Sequence, residues 1–233
     1  MVKVLLAWPA SSSEVELVKR VIGGLAELDR VASREEVWEK IEDAEVVIGG
    51  YLPDEAIVRA AKLRFIQSIT AGVESFNFEL LRERGILLAS AKGCNALEVA
   101  EHALALMLAL AKRIVVMDRR LKEDVWTPWT TETMVAELEG KTVGIIGYGN
   151  IGRSLARLCK CLGMRVLGVR RRPHPDEYAD FVGGLEDLGR VMAESDFVVI
   201  ALPLTPETRG LIDSEKLRRM KRSAYLINVG RGA

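Results

Sequence analysis

Short apolar runs alternate along the chain with longer segments whose apolar residues return about every three to four positions, and the alternation predicts the elements. In the first ninety or so residues, β-branched runs at 2–7, 46–49, 65–69 and 86–89 read as strands. Segments 14–28, 54–61 and 79–84 read as helices, the second started by Pro53 and Asp54. Buried strands interleaved with amphipathic helices form a parallel sheet covered by helices, so this α/β stretch is assigned to a first domain, residues 1–95. From 96 to 117 apolar residues fall on nearly every face, which predicts one long helix buried between domains. Segment 119–140 sets Trp126, Pro128 and Trp129 among charges and threonines, and reads either as an arm docking on another subunit or as an arm folded back on its own chain. A second α/β block begins at Lys141, with strands at 142–146, 165–169, 197–201 and 224–228 and helices at 151–162, 185–193 and 214–220. Residues 96–233 are assigned to this second domain.

One junction in the second block carries chemistry. The strand 142–146 runs into Gly147-Tyr148-Gly149-Asn150-Ile151-Gly152 and then into a helix with Leu155, Ala156 and Leu158 on its inner face. A bare GxGxxG is weak, but between a buried strand and a helix it is the fingerprint of a dinucleotide-binding, Rossmann-type doubly wound sheet. Gly147 permits the tight turn, Gly149 lets a pyrophosphate approach the backbone, and Gly152 lets the helix pack close to the strand. The N–H groups of Asn150 and Ile151 and the helix dipole supply the positive end. The alternative is a glycine-rich turn with no ligand.

The residue that reads the adenosine ribose is expected at the end of the next strand. An NAD site places Asp or Glu there, whereas this chain has Arg170-Arg171-Arg172. Guanidinium groups bind a 2′-phosphate through charge-assisted hydrogen bonds, so NADP(H) is the preferred cofactor, with NAD(H) left open. The competing reading is a solvated turn before Pro173.

Charge and composition narrow the remaining classes. Lys plus Arg and Asp plus Glu both number 33, so there is no net field to recruit nucleic acid or an anionic membrane. The most apolar stretch, 103–111, is flanked by charges and is too short for a membrane span, and the apolar run 4–8 is too short for a secretory leader. The 3 cysteines, Cys94, Cys159 and Cys161, have no metal-site spacing and read as reduced thiols of a cytoplasmic protein. No metal site is expected.

These features together resemble the D-isomer-specific 2-hydroxyacid dehydrogenases, a family that includes glyoxylate and hydroxypyruvate reductases. Four stretches carry the resemblance: Thr70-Ala71-Gly72-Val73; Val99-Ala100-Glu101-His102 with its apolar helix; the glycine motif; and Leu202-Pro203-Leu204-Thr205-Pro206-Glu207-Thr208 leading to Asn228-Val229-Gly230-Arg231-Gly232. The resemblance implies a flavodoxin-like N-terminal substrate domain beside the dinucleotide-binding domain. Hydride would pass between NAD(P)(H) and a D-2-hydroxy acid/2-oxo acid pair. Independently of the resemblance, the apolar helix 96–117 beside the aromatic-bearing arm predicts a homodimer. The resemblance also implies that Ala71, Gly72 and Val73 offer backbone N–H groups to the substrate carboxylate, with Leu52 nearby. Leu202, Pro203 and Thr208 would line the cofactor, and Val229, Gly230 and Arg231 would approach the nicotinamide. Arg231 would be the catalytic residue, holding the substrate carboxylate and polarising the keto oxygen.

The family's proton-donating histidine and its partner glutamate follow the arginine motif, and neither lies within residues 1–233. The expectation is therefore a longer enzyme whose dinucleotide domain is incomplete here. His102 is expected to be a satisfied core or interface histidine, and His174 to lie on the adenosine side. Two other functions stay open: a non-catalytic dinucleotide-sensing protein of the corepressor kind, and an NAD-linked formate dehydrogenase, against which the three arginines argue.

Overall fold

Strand β1 (Val2–Leu6) begins the chain in the computed structural model, which describes residues 1–33, 35–126 and 134–232. These residues divide into two units, Met1–Cys94 and Asn95–Ala233. After β1, helix α1 (Ser12–Ile22) opens with a capping box: the Ser11 hydroxyl accepts from Glu14 N–H, and the Glu14 carboxylate accepts from Ser11 N–H at 2.7 Å. It ends at Gly23, whose φ of 61° a side chain would resist. The helix predicted over 14–28 therefore stops early, and its last residues form β2 (Ala26–Arg30), paired parallel to β1.

The first unit continues through α2 (Val37–Lys40), β3 (Val46–Gly49), α3 (Asp54–Arg59), β4 (Phe65–Ser68), α4 (Phe78–Glu83) and β5 (Leu87–Ala89). The strands lie in the order β2-β1-β3-β4-β5, all parallel, which is the flavodoxin-like arrangement. Leu5, Val47 and Ile66 from the sheet meet Ile57 and Leu81 from the helices in the core.

The second unit opens with α5 (Ala96–Ala111) and α6 (Ile114–Lys122). The single buried helix expected over 96–117 is corrected here. The chain breaks at Lys112 and Arg113, with Arg113 at φ 51°, and only the stripe Ala96, Ala100, Ala103, Met107 and Ala111 is buried. No residue of α6 is buried, and Ile114, Val115 and Leu121 are exposed. Of the expected arm, residues 134–140 fold back on their own unit: Ala136 N–H donates to Ala111 O at 2.8 Å and Leu138 enters the core. Trp126 is 83% exposed, and Pro128 and Trp129 lie outside the described residues.

Next come β6 (Thr142–Ile146), α7 (Asn150–Cys161), β7 (Arg165–Val169), β8 (Phe181–Gly183), α8 (Leu188–Glu194), β9 (Phe197–Ile200), α9 (Ser214–Arg218) and β10 (Tyr225–Asn228). Strand β8 is absent from the sequence expectation, and a 3-10 turn (Leu185–Asp187) stands where the helix was expected to begin. The order β10-β9-β6-β7-β8, all parallel, is the doubly wound dinucleotide-fold order, with its reversal between β6 and β9. Both faces of the sheet are covered. Ile145 and Val199 pack with Met107 and Leu155 on one side, and Ile146 and Val198 pack with Val191 and Met192 on the other. Among the described residues no helix is long and apolar enough to cross a membrane.

Candidate functional site

The reversal between β6 and β9 opens a crevice at the carboxyl ends of these strands, and the glycine motif stands in it. Each glycine has its own cause. Gly147 has φ 100°, and a Cβ there would lie 2.7 Å from the Ala201 backbone. A Cβ on Gly152 would lie 2.7 Å from Gly147 O and 2.9 Å from the Ile145 side chain, so this glycine closes the helix onto the strand. A Cβ on Gly149 would meet nothing within 4 Å. Internal packing therefore does not require Gly149, and the space beside it is open to a ligand. Among the described residues the N–H groups of Asn150 and Ile151 have no internal acceptor, and the first α7 bond of this turn is Arg153 N–H to Gly149 O. Unpaired donors at the N-terminus of a helix of this length, beside open space, fit an anionic pyrophosphate.

The turn is welded to β7. Gly147 and Tyr148 both donate N–H to Val169 O, at 3.0 and 2.8 Å, so the next residue, Arg170, stands directly beside the glycine turn. Arg170 is half-buried and its Nη1 meets His174 Nε2 at 2.6 Å, while Arg171 and Arg172 are exposed. The Glu207 carboxyl is held below its usual range by the Thr205 hydroxyl, by its own N–H and, more weakly, by Arg171. The three arginines thus surround the end of β7.

A cluster unforeseen in the sequence underlies this corner. Tyr148, 1% exposed, lays its ring on Gly168 and donates its hydroxyl to Asp176 at 3.0 Å. Arg153 of α7 donates to Asp176 at 2.7 Å and to Glu177 at 2.7 Å, and its guanidinium lies 4.8 Å from the Tyr178 ring centre. Burial, and then the Asp176 carboxylate, push the Tyr148 hydroxyl well above its ordinary pKa. Burial alone would raise Asp176, but donors from Tyr178 N–H, Arg153 and Tyr148 outweigh it and hold the carboxyl low. No sequence spacing links residues 148, 153 and 176.

The loops after β9 and β10 meet each other. Gly230 is pressed on Leu202, where a Cβ would lie 2.7 Å from the Leu202 carbonyl oxygen. The Thr208 hydroxyl donates to Pro203 O at 2.6 Å and accepts from Thr205 N–H, which shapes the loop between them. Leu202, Pro203, Thr208 and Arg231 line one hollow of about 230 Å³. Arg231 is exposed, and Asn228 pins its backbone by donating to Arg231 O at 2.9 Å while accepting from Gly230 N–H. A second hollow, about 390 Å³, brings Val229 and Gly230 against Asn95, Glu98, Val99 and His102. The core reading of His102 is thereby corrected, because its side chain is exposed on the outer side of the buried α5 stripe. Asn95 and Glu98 were missed, since a helix rich in alanine and leucine gives no local sign that its first turn borders a distant loop, and Val99 was quoted only within a motif, with no role at the site.

In the first unit, Leu52 and the Ala71–Gly72–Val73 turn follow adjacent parallel strands, β3 and β4, at their carboxyl ends. Ser68 and Thr70 fix the turn: their hydroxyls lie 2.8 Å apart and Thr70 Oγ1 donates to Gly72 O at 2.7 Å. Among the described residues the N–H groups of Ala71, Gly72 and Val73 have no internal acceptor, as an anion nest requires. Leu52 is only 2% exposed as a whole residue, with its side chain packed in the core.

Comparison with known proteins gives this geometry a lineage. The chain is 33% identical to the D-3-phosphoglycerate dehydrogenase of Methanocaldococcus jannaschii over 100% of its own length and 44% of that protein's. The chain thus spans less than half the length of that relative. It is 37% identical to glyoxylate/hydroxypyruvate reductase B of Erwinia tasmaniensis, covering 91% of this chain and 66% of the relative. Its fold superposes on D-lactate dehydrogenase from Aquifex aeolicus, solved with NAD and lactic acid, with a TM-score of 0.81 at 26% identity, over 99% of this chain and 69% of that one. The family model for the D-isomer specific 2-hydroxyacid dehydrogenase NAD binding domain matches residues 104–233, and the chain belongs to that family.

Proposed function

We propose that the chain carries the cofactor-binding and substrate-loading parts of an oxidoreductase that interconverts a 2-oxo acid and a D-2-hydroxy acid with a nicotinamide dinucleotide, NADP(H) in preference to NAD(H). The observation that carries this reading is Gly149, a glycine with open space where a Cβ would stand, next to unpaired helix N–H groups at the sheet's reversal point. In it Gly147, Gly149, Asn150, Ile151 and Gly152 hold the pyrophosphate, and Leu202, Pro203, Thr208, Val229 and Gly230 line the rest of the dinucleotide. Residues 96–233 are the dinucleotide domain and residues 1–95 the substrate domain. There the nest at Ala71, Gly72 and Val73, with Leu52 nearby, receives the substrate carboxylate.

A bound nicotinamide supplies or accepts the hydride. Arg231 contributes a planar guanidinium that pairs with the carboxylate and stabilises the negative charge developing on the carbonyl oxygen. The choice of NADP(H) rests on Arg170, which occupies the β7 end where an acidic residue would read the ribose hydroxyl. The exposed apolar residues of α6 and Trp126 support a homodimer made through α5, α6 and the chain around Trp126. The free cysteines, with Cys159 buried, fit a reducing cytoplasm.

The test is fluorescence titration of NADPH and NADH, followed by turnover of small 2-oxo acids by the protein. NADPH is expected to bind roughly tenfold or more tightly, the value of one charge-assisted contact. Equal affinities would reduce the arginines to a solvated turn, and absence of binding by either cofactor would remove the dinucleotide reading.

A further inference from the structure

The loop between β7 and β8 is tied at three points. At its start Arg170 N–H donates to Gly183 O at 3.0 Å. In its middle Arg170 Nη1 meets His174 Nε2 at 2.6 Å, and His174 Nδ1 lies 3.1 Å from Pro175 O. A carbonyl only accepts, so Nδ1 carries the hydrogen and Nε2 accepts from the arginine. At its far end Asp176 Oδ1 accepts from the Tyr148 hydroxyl and from Tyr178 N–H, each at 3.0 Å, and Oδ2 accepts from Arg153 Nε at 2.7 Å. The Asp176 side chain is only 7% exposed, so these bonds are made away from competing water.

From these ties we infer that Asp176 is a positioning residue for cofactor selectivity: by fastening the loop to Tyr148, inside the glycine turn, it fixes where the Arg170–His174 pair meets the adenosine 2′ group. The inference rests on the proposed NADP(H) reading and extends it to residues that touch no cofactor. The two ends of the loop are referenced to the same body. Val169 O receives the N–H groups of Gly147 and Tyr148, and the Tyr148 hydroxyl reaches Asp176. The distance from the pyrophosphate turn to Arg170 is therefore set before any ligand arrives. His174 uses one guanidinium hydrogen and leaves the others for a phosphate. An arginine ordered in advance does not lose its rotamer freedom on binding, which is worth roughly three- to tenfold in affinity.

The experiment is isothermal titration of NADPH, NADH, adenosine 2′,5′-bisphosphate and AMP into the full chain and into Asp176→Asn, Tyr148→Phe and Arg170→Ala, with thermal unfolding of each. Tyr148→Phe removes only a hydroxyl and keeps the ring on Gly168, so it serves if Asp176→Asn folds poorly. Both positioning variants should weaken NADPH and the bisphosphate roughly three- to tenfold, and shift NADH and AMP by less than about twofold. Combined with Arg170→Ala they should cost nothing further, because the group they position is gone. If the unmutated protein prefers NADPH and both variants keep that preference, the inference fails while the cofactor reading stands. Equal loss of NADPH and NADH affinity marks Asp176 as merely structural and overturns it too. No NADPH preference in the unmutated protein overturns both.

Discussion

Gly149 and Gly152 differ by three positions in one motif and should fail in opposite ways when each is changed to alanine. At Gly152 the new methyl would stand 2.7 Å from Gly147 O and 2.9 Å from Ile145 Cγ2. The isoleucine methyl can turn aside, but the carbonyl belongs to the turn and moves only if α7 lifts from β6. Overpacking of this kind costs about 1–3 kcal/mol. At roughly 2–4 °C per kcal/mol for a chain of this size, Tm should fall by about 2–12 °C. At Gly149 the methyl meets nothing within 4 Å and φ is −105°, on the side open to L-residues. Because Gly149 is the N-cap of α7, where alanine is disfavoured, stability should fall by up to about 1 kcal/mol. The methyl would instead occupy the space assigned to the pyrophosphate. The assay is thermal unfolding with and without NADPH at about a hundred times its dissociation constant, where a bound ligand adds about 2.7 kcal/mol and raises Tm by roughly 5–11 °C. The parent should show that rise, and Gly149→Ala should lose most of it. A Gly149→Ala protein that keeps the full rise would refute the pyrophosphate assignment. A Gly152→Ala protein as stable as the parent would refute the packing argument.

Three further outcomes follow from other parts of the chain. Arg231→Lys should lower kcat/KM for the proposed 2-oxo acid reduction at least roughly tenfold, because a point charge replaces a bidentate fork, and leave the NADPH dissociation constant within about twofold; unchanged steady-state kinetics would take Arg231 out of the chemistry. Burial pushes the Cys159 thiol up to about 12, whereas Cys94 and Cys161 are exposed, so a thiol reagent at neutral pH should label those two in the folded protein and Cys159 only after denaturation. Burial opposes ionisation of Asp196, but Lys221 at 2.9 Å and Thr142 N–H at 2.9 Å outweigh it and hold its pKa below the unfolded value of about 3.9. A depressed carboxyl stabilises the fold above the unfolded value and loses that contribution as pH falls through the folded one. Urea unfolding of Asp196→Asn should therefore show about 1 kcal/mol less stability at pH 7 and a shallower decline below pH 4, and parallel pH curves for the two proteins would contradict this.

The elements legible in the sequence are those whose burial is written into consecutive residues. Thr142–Ile146 is buried at every position, so its apolar run stands out, and the glycines after it mark the turn without any knowledge of the rest of the sheet. The strands missed are edge strands. Ala26–Arg30 is AELDR, with Glu27, Asp29 and Arg30 exposed, and by composition it continues a helix. It is a strand because β1 offers five partners in parallel register, a tertiary fact that overrides a weak propensity. The break between α5 and α6 has no Gly or Pro to announce it, and Arg113 accepts φ 51° where Ala136 N–H takes the Ala111 carbonyl.

What the sequence determined by itself is local: the period of apolar residues, the order of strands and helices, the glycine turn, and the arginines where an acid would stand. Each is a property of a few neighbouring residues, and backbone geometry reads it without reference to distant chain. The tertiary structure decided what lies across from what. It set Gly149 facing open space and Gly152 facing a carbonyl, although both are glycines of one motif. It brought Asp176 to Tyr148 across 28 positions and set His102 on an exposed face beside Val229 and Gly230. Those relations come from parallel strand pairing, in which every crossover returns the chain to the same edge of the sheet. Residues far apart in sequence therefore gather at the carboxyl ends of the strands, and no local pattern records which of them will meet.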